Sequence, residues 1–287
     1  MEIILGKTSG FCAGVKNAVE NAQKEVEKTK GITYCLGELV HNKQVVEELE
    51  SKGLKTIENI EEAKSKTIIR AHGVPKRVYQ TAEKMGIELI DLTCPKVKKI
   101  HNLVEEYSNN KYFVFCIGNS KHPEIIGIQG FGNKNFYVIE TLEDIENVIT
   151  KLEQSNLKKL LVISQTTFNS KKFDIIINNI KQNLPANIEL EIHNTICKAT
   201  ELRQKETEEL SKTVDLMIII GGKNSSNTNK LYEIASNNCK KAIFIQTKQD
   251  IDLNLIKDIQ KIGIMAGAST PKNSVDDVIK YLQEKGN

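Results

Sequence analysis

The most constraining feature of this chain is a recurring one: a short, uninterrupted apolar run that ends in a loop of small and polar residues. Ile3-Ile4-Leu5 leads to Gly6 and then Gly10-Phe11-Cys12-Ala13-Gly14. Tyr34-Cys35-Leu36 leads to Gly37 and His41-Asn42, and Thr67-Ile68-Ile69 to Ala71-His72-Gly73. Phe113 to Ile117 leads to Gly118 and on to His122-Pro123-Glu124, and Leu160 to Ile163 leads to Ser164-Gln165-Thr166-Thr167. Leu216 to Ile220 leads to Gly221-Gly222 and Ser225-Ser226-Asn227, and Ile262 to Met265 leads to Gly267-Ala268-Ser269-Thr270. Runs without polar alternation read as strands buried on both faces, which is the condition of a parallel sheet. The segments between them carry helical spacing, with Val15, Val19, Ala22 and Val26 on one face and Val97, Ile100 and Val104 on another. Alternating strands and helices make an α/β fold, in which ligands sit at the carboxyl ends of the strands.

A weak internal repeat refines this. Ile87 to Cys94 reads as a strand, a Thr and a Cys before a charged helix, and Ile188 to Cys197 repeats the arrangement. Cys12 also follows a short strand and precedes a helix. The three cysteines lie 82 residues (12 to 94) and 103 residues (94 to 197) apart. The expected architecture is therefore three pseudo-threefold-related α/β units around a shared centre, each giving one cysteine.

Composition narrows the function classes. With 39% hydrophobic and 27% charged residues over 287 positions, the chain can bury a core. A net charge of +3 is too small to point to nucleic acid, and lysines alternate with glutamates as in Glu25-Val26-Glu27-Lys28, the mark of solvated helix faces. No stretch approaches the length of a membrane span, and no export signal is expected where Met1 leads almost directly into Ile3-Ile4-Leu5. The expectation is a cytoplasmic protein with reduced thiols, without membrane or nucleic-acid partners. Six cysteines without a CxxC pair do not form a disulfide framework in a chain of this length.

Cys12, Cys94 and Cys197 stand apart from the other cysteines. A helix N-terminus carries partial positive charge and free backbone donors, and so favours thiolate. Pro95, directly after Cys94, suits a first helical position. Three thiolates suffice for three irons of a cubane cluster and leave the fourth iron open to substrate, but a three-cysteine zinc site fits the same pattern. Cys35 and Cys116 lie within strand-like runs and Cys239 beside lysines, so all three read as small buried hydrophobes.

The loops add anion-binding chemistry. His41, His72 and His122 all fall after strands, where imidazole can donate to phosphate. Ser225-Ser226-Asn227 and Ser269-Thr270 offer short donors beside glycine-rich turns, a setting suited to diphosphate. Neither a GxxxxGK[ST] loop nor a GxGxxG fingerprint follows a strand, which argues against a nucleoside-triphosphatase of that kind and a recognisable nicotinamide site. Glu124 is one of few carboxylates near these clusters and the natural candidate for a proton donor, provided its surroundings keep it protonated when needed; the alternative is a glutamate placed at a helix start by the dipole. His101, within a helix, reads as structural, and His193 receives no role.

Taken together, these motifs resemble the 4-hydroxy-3-methylbut-2-enyl diphosphate reductases, with the resemblance running over essentially the whole chain. It is carried by Gly10 to Val15, Leu39 to Asn42, Arg70 to Val74, Asp91 to Pro95, His122 to Glu124, Gln165 to Thr167, Asn194 to Cys197, Asn224 to Asn227 and Gly267 to Ser269. The resemblance implies three α/β units, expected at residues 1–94, 95–193 and 194–287, with the C-terminal tail closing the site. It implies a central [4Fe–4S] cluster on Cys12, Cys94 and Cys197. It assigns His41, His72, His122, Ser225, Ser226, Asn227 and Ser269 to the diphosphate. Thr166, with Thr167 beside it, is assigned to the substrate hydroxyl and Glu124 to proton delivery. The implied reaction is reductive dehydroxylation of the allylic diphosphate to isopentenyl and dimethylallyl diphosphate, with ferredoxin or flavodoxin as electron donor. A quinolinate synthase also has three units and a three-cysteine cluster, but works as a dehydrating lyase. The His-Pro-Glu and Ser-Ser-Asn loops favour the reductase over it. The density of anion donors likewise argues against an electron carrier or iron–sulfur sensor.

Overall fold

The computed structural model describes residues 1–257 and 259–285. In chain order the elements are β1 (Glu2–Leu5), α1 (Ala13–Lys28), β2 (Thr33–Leu36), α2 (Lys43–Ser51), β3 (Leu54–Ile57), β4 (Thr67–Ile69), α3 (Lys76–Met85), β5 (Leu89–Asp91) and α4 (Pro95–Asn109). Then come β6 (Phe113–Ile117), α5 (Pro123–Gln129), β7 (Phe136–Ile139), α6 (Asp144–Gln154), β8 (Lys159–Ser164), α7 (Ser170–Asn183) and β9 (Glu189–Ile192). The remainder is α8 (Lys198–Ser211), β10 (Leu216–Ile220), α9 (Ser226–Asn238), β11 (Ala242–Ile245), β12 (Lys261–Ala266) and α10 (Lys272–Lys285).

The strands form three four-stranded sheets, ordered β1-β12-β10-β11, β3-β2-β4-β5 and β7-β6-β8-β9. Every pairing is parallel. The apolar runs account for this. β6, β10 and the body of β8 are buried residue after residue, because helices cover both faces of a parallel sheet. Phe113, Phe115 and Ile117 pack with Ile145, Leu152, Phe173 and Ile180 on one face of the third sheet, while Val114, Cys116 and Ile163 pack with Ile100, Val104 and Ile125 on the other. Each such side chain taken fully out of water contributes about 1.5–3 kcal/mol.

The expectation of three parallel α/β units holds, but the sheets do not follow contiguous thirds of the chain. β1, from the segment expected to be the first unit, pairs with β12, with Glu2 opposite Lys261 and Leu5 opposite Ile264. The chain instead divides into two compact units. Residues Met1–Glu20, Val40–Ser51 and Lys198–Asn287 form one, and Asn21–Leu39 with Lys52–Cys197 form the other. An edge strand donated from the far end of the chain leaves no mark in local sequence, which is why cuts after residues 94 and 193 miss it. Among the described residues, no helix is long and apolar enough to cross a membrane.

Candidate active site

In each sheet the strand order delivers the same succession of residue types at the carboxyl ends. In the first sheet β1 leads to Cys12, β12 to Ser269, and β10 to Ser225, Ser226 and Asn227. In the second β5 leads to Cys94, β4 to His72 and β2 to His41. In the third β9 leads to Cys197, β8 to Thr166 and Thr167, and β6 to His122 and Glu124. The fourth strand of each sheet, β11, β3 or β7, lies at the far edge and carries none of the expected site residues. One edge therefore presents a cysteine, and the next two strands present hydrogen-bonding side chains.

The three cysteines share a local geometry. Each immediately precedes a helix, α1, α4 or α8, and each is partly exposed and forms no disulfide. Their backbone N–H groups are anchored on neighbouring strand ends: Cys12 donates to Ala268 O at 3.1 Å, Cys94 to Ala71 O at 3.0 Å and Cys197 to Thr166 O at 2.9 Å. The Cys12 sulfur accepts the Val15 N–H at 3.5 Å, so the first turn of α1 already offers a donor to a thiolate. Cys35, Cys116 and Cys239 are buried, as read from the sequence. Burial pushes the Cys116 thiol up, with the Glu124 charge adding to the effect, so this sulfur stays protonated and inert. The donor set thus separates cleanly: three thiols at helix starts within reach of solvent, and three sealed in packing. The former have the chemistry that an iron–sulfur cluster needs.

Glu124 lies in the first turn of α5 rather than in a loop, and only 2% of it is exposed. Its Oε1 accepts the Thr166 N–H at 2.6 Å and its Oε2 the Thr166 hydroxyl at 2.7 Å. Burial raises its pKa, and the two hydrogen bonds from Thr166 offset only part of that effect. A carboxyl that holds its proton more firmly than usual, in contact with a hydroxyl, is equipped to pass a proton along that contact. His122 caps the same helix, its Nδ1 accepting the Glu124 N–H at 3.1 Å. With Nδ1 accepting, the neutral ring carries its proton on Nε2 and can donate from that side. His72 meets His122 edge to face at 5.4 Å between ring centroids. Gln165, named only as part of a motif, supports this corner. Its side chain accepts from Asn119 N and donates to Thr167 Oγ1, and is 2% exposed. A glutamine directly after the apolar run of β8 is the signal that could have found it.

The residues expected to donate to an anion in the other unit are equally well set. Ser225 is the N-cap of α9, its hydroxyl accepting the Thr228 N–H at 3.3 Å. Asn227 is 3% exposed, yet neither its Oδ1 nor its Nδ2 has a partner among the described residues. A buried amide left unsatisfied is costly and calls for a ligand. The Ser269 hydroxyl donates to His41 O at 3.0 Å. Gly222 is required for the same approach, because a Cβ there would stand 2.4 Å from His41 O. His101, read as structural, is buried against the Phe131 ring at 4.3 Å, and burial lowers its pKa to about 4. His193 joins Tyr107, Tyr112 and Glu191 in a partly exposed polar group and gains no catalytic role. Two further residues, Arg203 and Glu206 on α8, were hidden in what read as an ordinary charged helix.

A family model described as LytB protein matches residues 3–283. The chain is 42% identical to the 4-hydroxy-3-methylbut-2-enyl diphosphate reductase of Clostridioides difficile (strain 630) over 285 residues, covering 99% of each. It is 38% identical to the protein of the same name from Geobacter sulfurreducens, over 100% of this chain and 99% of that one. The fold matches the structure of the E-1-hydroxy-2-methyl-but-2-enyl-4-diphosphate reductase from Plasmodium falciparum with a TM-score of 0.91 and 28% identity, over 98% of this chain and 88% of that one. It also matches a structure described as (E)-4-hydroxy-3-methyl-but-2-enyl diphosphate reductase, the terminal enzyme of the non-mevalonate pathway. There the TM-score is 0.70 and the identity 36%, over 99% and 100% of the two chains.

Proposed function

We propose, from the premise that this chain belongs to the LytB protein family, that it removes the hydroxyl of (E)-4-hydroxy-3-methylbut-2-enyl diphosphate with a [4Fe–4S] cluster held by Cys12, Cys94 and Cys197. The chain is a reductase of the non-mevalonate pathway acting on a small allylic diphosphate. The observation that carries the finer reading is the recurrence across sheets: a partly exposed cysteine after one edge strand, and polar donors after the next two.

The reaction consumes two electrons and two protons, breaks the carbon–oxygen bond, and yields water with isopentenyl or dimethylallyl diphosphate. When bound, the cluster supplies the electrons, which reach it from ferredoxin or flavodoxin. The chain's own residues do the rest. Asn227, Ser225, Ser226 and Ser269, with His41, His72 and the Nε2 side of His122, hold the diphosphate. Asn227 thereby gains the partners it lacks among the described residues. Fixing that end positions the allylic carbon and its hydroxyl, which is catalysis by orientation. Thr166 contacts the hydroxyl, with Thr167 beside it. Glu124 sends a proton from its carboxyl through the Thr166 hydroxyl, so that hydroxide, a poor leaving group, departs as water. The short Glu124–Thr166 contacts support this route.

Iron and acid-labile sulfide analysis of anaerobically purified protein, with Mössbauer spectroscopy, tests the cofactor. The expected result is iron and sulfide in equal amounts, lost in Cys94→Ser. Stoichiometric zinc without sulfide would overturn it.

A further inference from the structure

The buried residues of α8 are all polar, with Leu210 only partly buried against the core. Thr200, Arg203, Gln204, Thr207 and Ser211 recur at helical spacing and are between 0% and 6% exposed. A helix normally buries an apolar stripe, and burying polar groups instead costs free energy unless each finds a partner. Thr207 and Ser211 return their hydroxyls to carbonyls of α8 itself, whereas Arg203 reaches out of the helix. Arg203 Nε donates to Thr8 O at 2.8 Å, and its Nη2 donates to Gly10 O at 2.9 Å. One turn on, Glu206 accepts the Lys7 N–H at 2.6 Å and the Thr8 N–H at 2.8 Å, and takes the Thr8 hydroxyl as well. The loop from Lys7 to Gly10 is thus held from α8 by donors and acceptors in alternation.

This loop ends two residues before Cys12. Gly10 has φ +90°, a conformation that favours glycine, and its carbonyl is turned onto the Arg203 fork. On its other side the loop is tied to the end of β12, with Gly10 N donating to Ala266 O at 3.3 Å, Cys12 N to Ala268 O at 3.1 Å and Ala266 N to Ser9 Oγ at 3.2 Å. The backbone entering Cys12 is therefore fixed from two directions, and the α8 side relies on charged groups that reach backbone atoms. Planar, two-pronged recognition of neighbouring carbonyls is what arginine does and lysine does not.

We infer that Arg203 and Glu206 are positioning residues that hold the Cys12 loop in its ligating geometry before the cluster is inserted. This rests on the reading of Cys12 as a cluster ligand. Neither residue is assigned contact with substrate or cluster; both act through the backbone of residues 7–10.

Hydrogen exchange on the full chain, purified anaerobically and again after chelation of its iron, tests this by mass spectrometry. Arg203→Lys keeps the charge and loses the fork. The expected result is exchange about tenfold to a hundredfold faster at the Gly10 and Cys12 amides, the range set by losing a hydrogen bond to a charged group. The β10 amides should keep their protection, and iron and sulfide content after reconstitution should fall. Unchanged exchange at Gly10 and Cys12, or an equal rise across β10, overturns the inference, since the latter is what a purely structural role produces. Should Arg203→Lys fail to fold, Glu206→Ala, at a half-buried position, is read by the same measurement with the same two outcomes. Cys12→Ser separates the inference from its premise. If that variant keeps full iron and sulfide, the ligand reading fails whatever the exchange shows. If it loses them while Arg203→Lys and Glu206→Ala change nothing, the positioning role fails alone.

Discussion

The bodies of the strands and their carboxyl ends solve opposite problems. Along β6, Phe113 to Ile117 are all buried and all apolar, and Cys116 sits among them as one more small hydrophobe. A few residues later His122 and Glu124 are also buried, at 9% and 2%, and both are polar. The same change occurs from β8 to Gln165 and Thr166, and from β10 to Ser225 and Asn227. In the bodies, burial stabilises the fold. At the ends, it removes water from groups that need hydrogen bonds, and the groups are kept there by dedicated partners or left waiting for a ligand. The difference teaches where to cut: a change in a strand body should register in stability, and a change at a strand end in chemistry.

The largest effect is expected at the cysteines of the strand ends. Cys94→Ser or Cys197→Ser should abolish turnover and deplete iron, with the melting temperature of the cluster-free chain little altered. Activity retained in either variant would erase the contrast with the buried cysteines. Next comes Glu124→Gln, which preserves shape but cannot release a proton. Turnover should fall by about 10²–10⁴, the usual range for general acid catalysis, while the variant still binds the diphosphate. Near-normal anaerobic turnover would remove Glu124 from the proton route. Asn227→Ala should weaken binding of the diphosphate by about 1.5–3 kcal/mol, measured calorimetrically. Because the Asn227 amide has no partner to lose among the described residues, its removal should leave stability unchanged or slightly raised; a large loss of stability would show that the amide serves the fold. The smallest effect on activity belongs to Cys116→Ser. It should keep cluster and turnover, yet lose about 1–3 kcal/mol in denaturant unfolding, because a hydroxyl is buried in an apolar layer.

Legibility in the sequence followed the same divide. Strands with neighbours on both sides, such as β4, β6, β8, β10 and β12, announce themselves as unbroken apolar runs. Among the edge strands, β3 is broken by Lys55 and Thr56, whereas β7 and β11 are apolar but lead to no motif of polar residues that would have singled them out. β5 and β9, also at edges, were visible only because each belongs to the repeated strand–Thr–Cys arrangement. The site cysteines could be separated from the buried ones by their position before helices. What could not be read is how distant polar groups meet. Glu124 and Thr166 are 42 residues apart, and Arg203 and Gly10 are 193 apart. Charge in a helix such as α8 looks alike whether it faces water or a backbone carbonyl. Burial of Glu124 was likewise invisible, because its neighbours in sequence, His122 and Pro123, resemble an ordinary loop.

The central claim is that the strand ends form a reductase and the strand bodies merely carry them. Anaerobic incubation of the iron-replete protein with (E)-4-hydroxy-3-methylbut-2-enyl diphosphate and a chemically reduced ferredoxin or flavodoxin tests it most directly, with products followed by chromatography. The expected result is consumption of the alcohol and the appearance of isopentenyl and dimethylallyl diphosphate, with two electrons taken from the donor per molecule. Failure of protein with a full complement of iron and sulfide to consume the substrate, or its conversion without oxidation of the donor, would contradict the account.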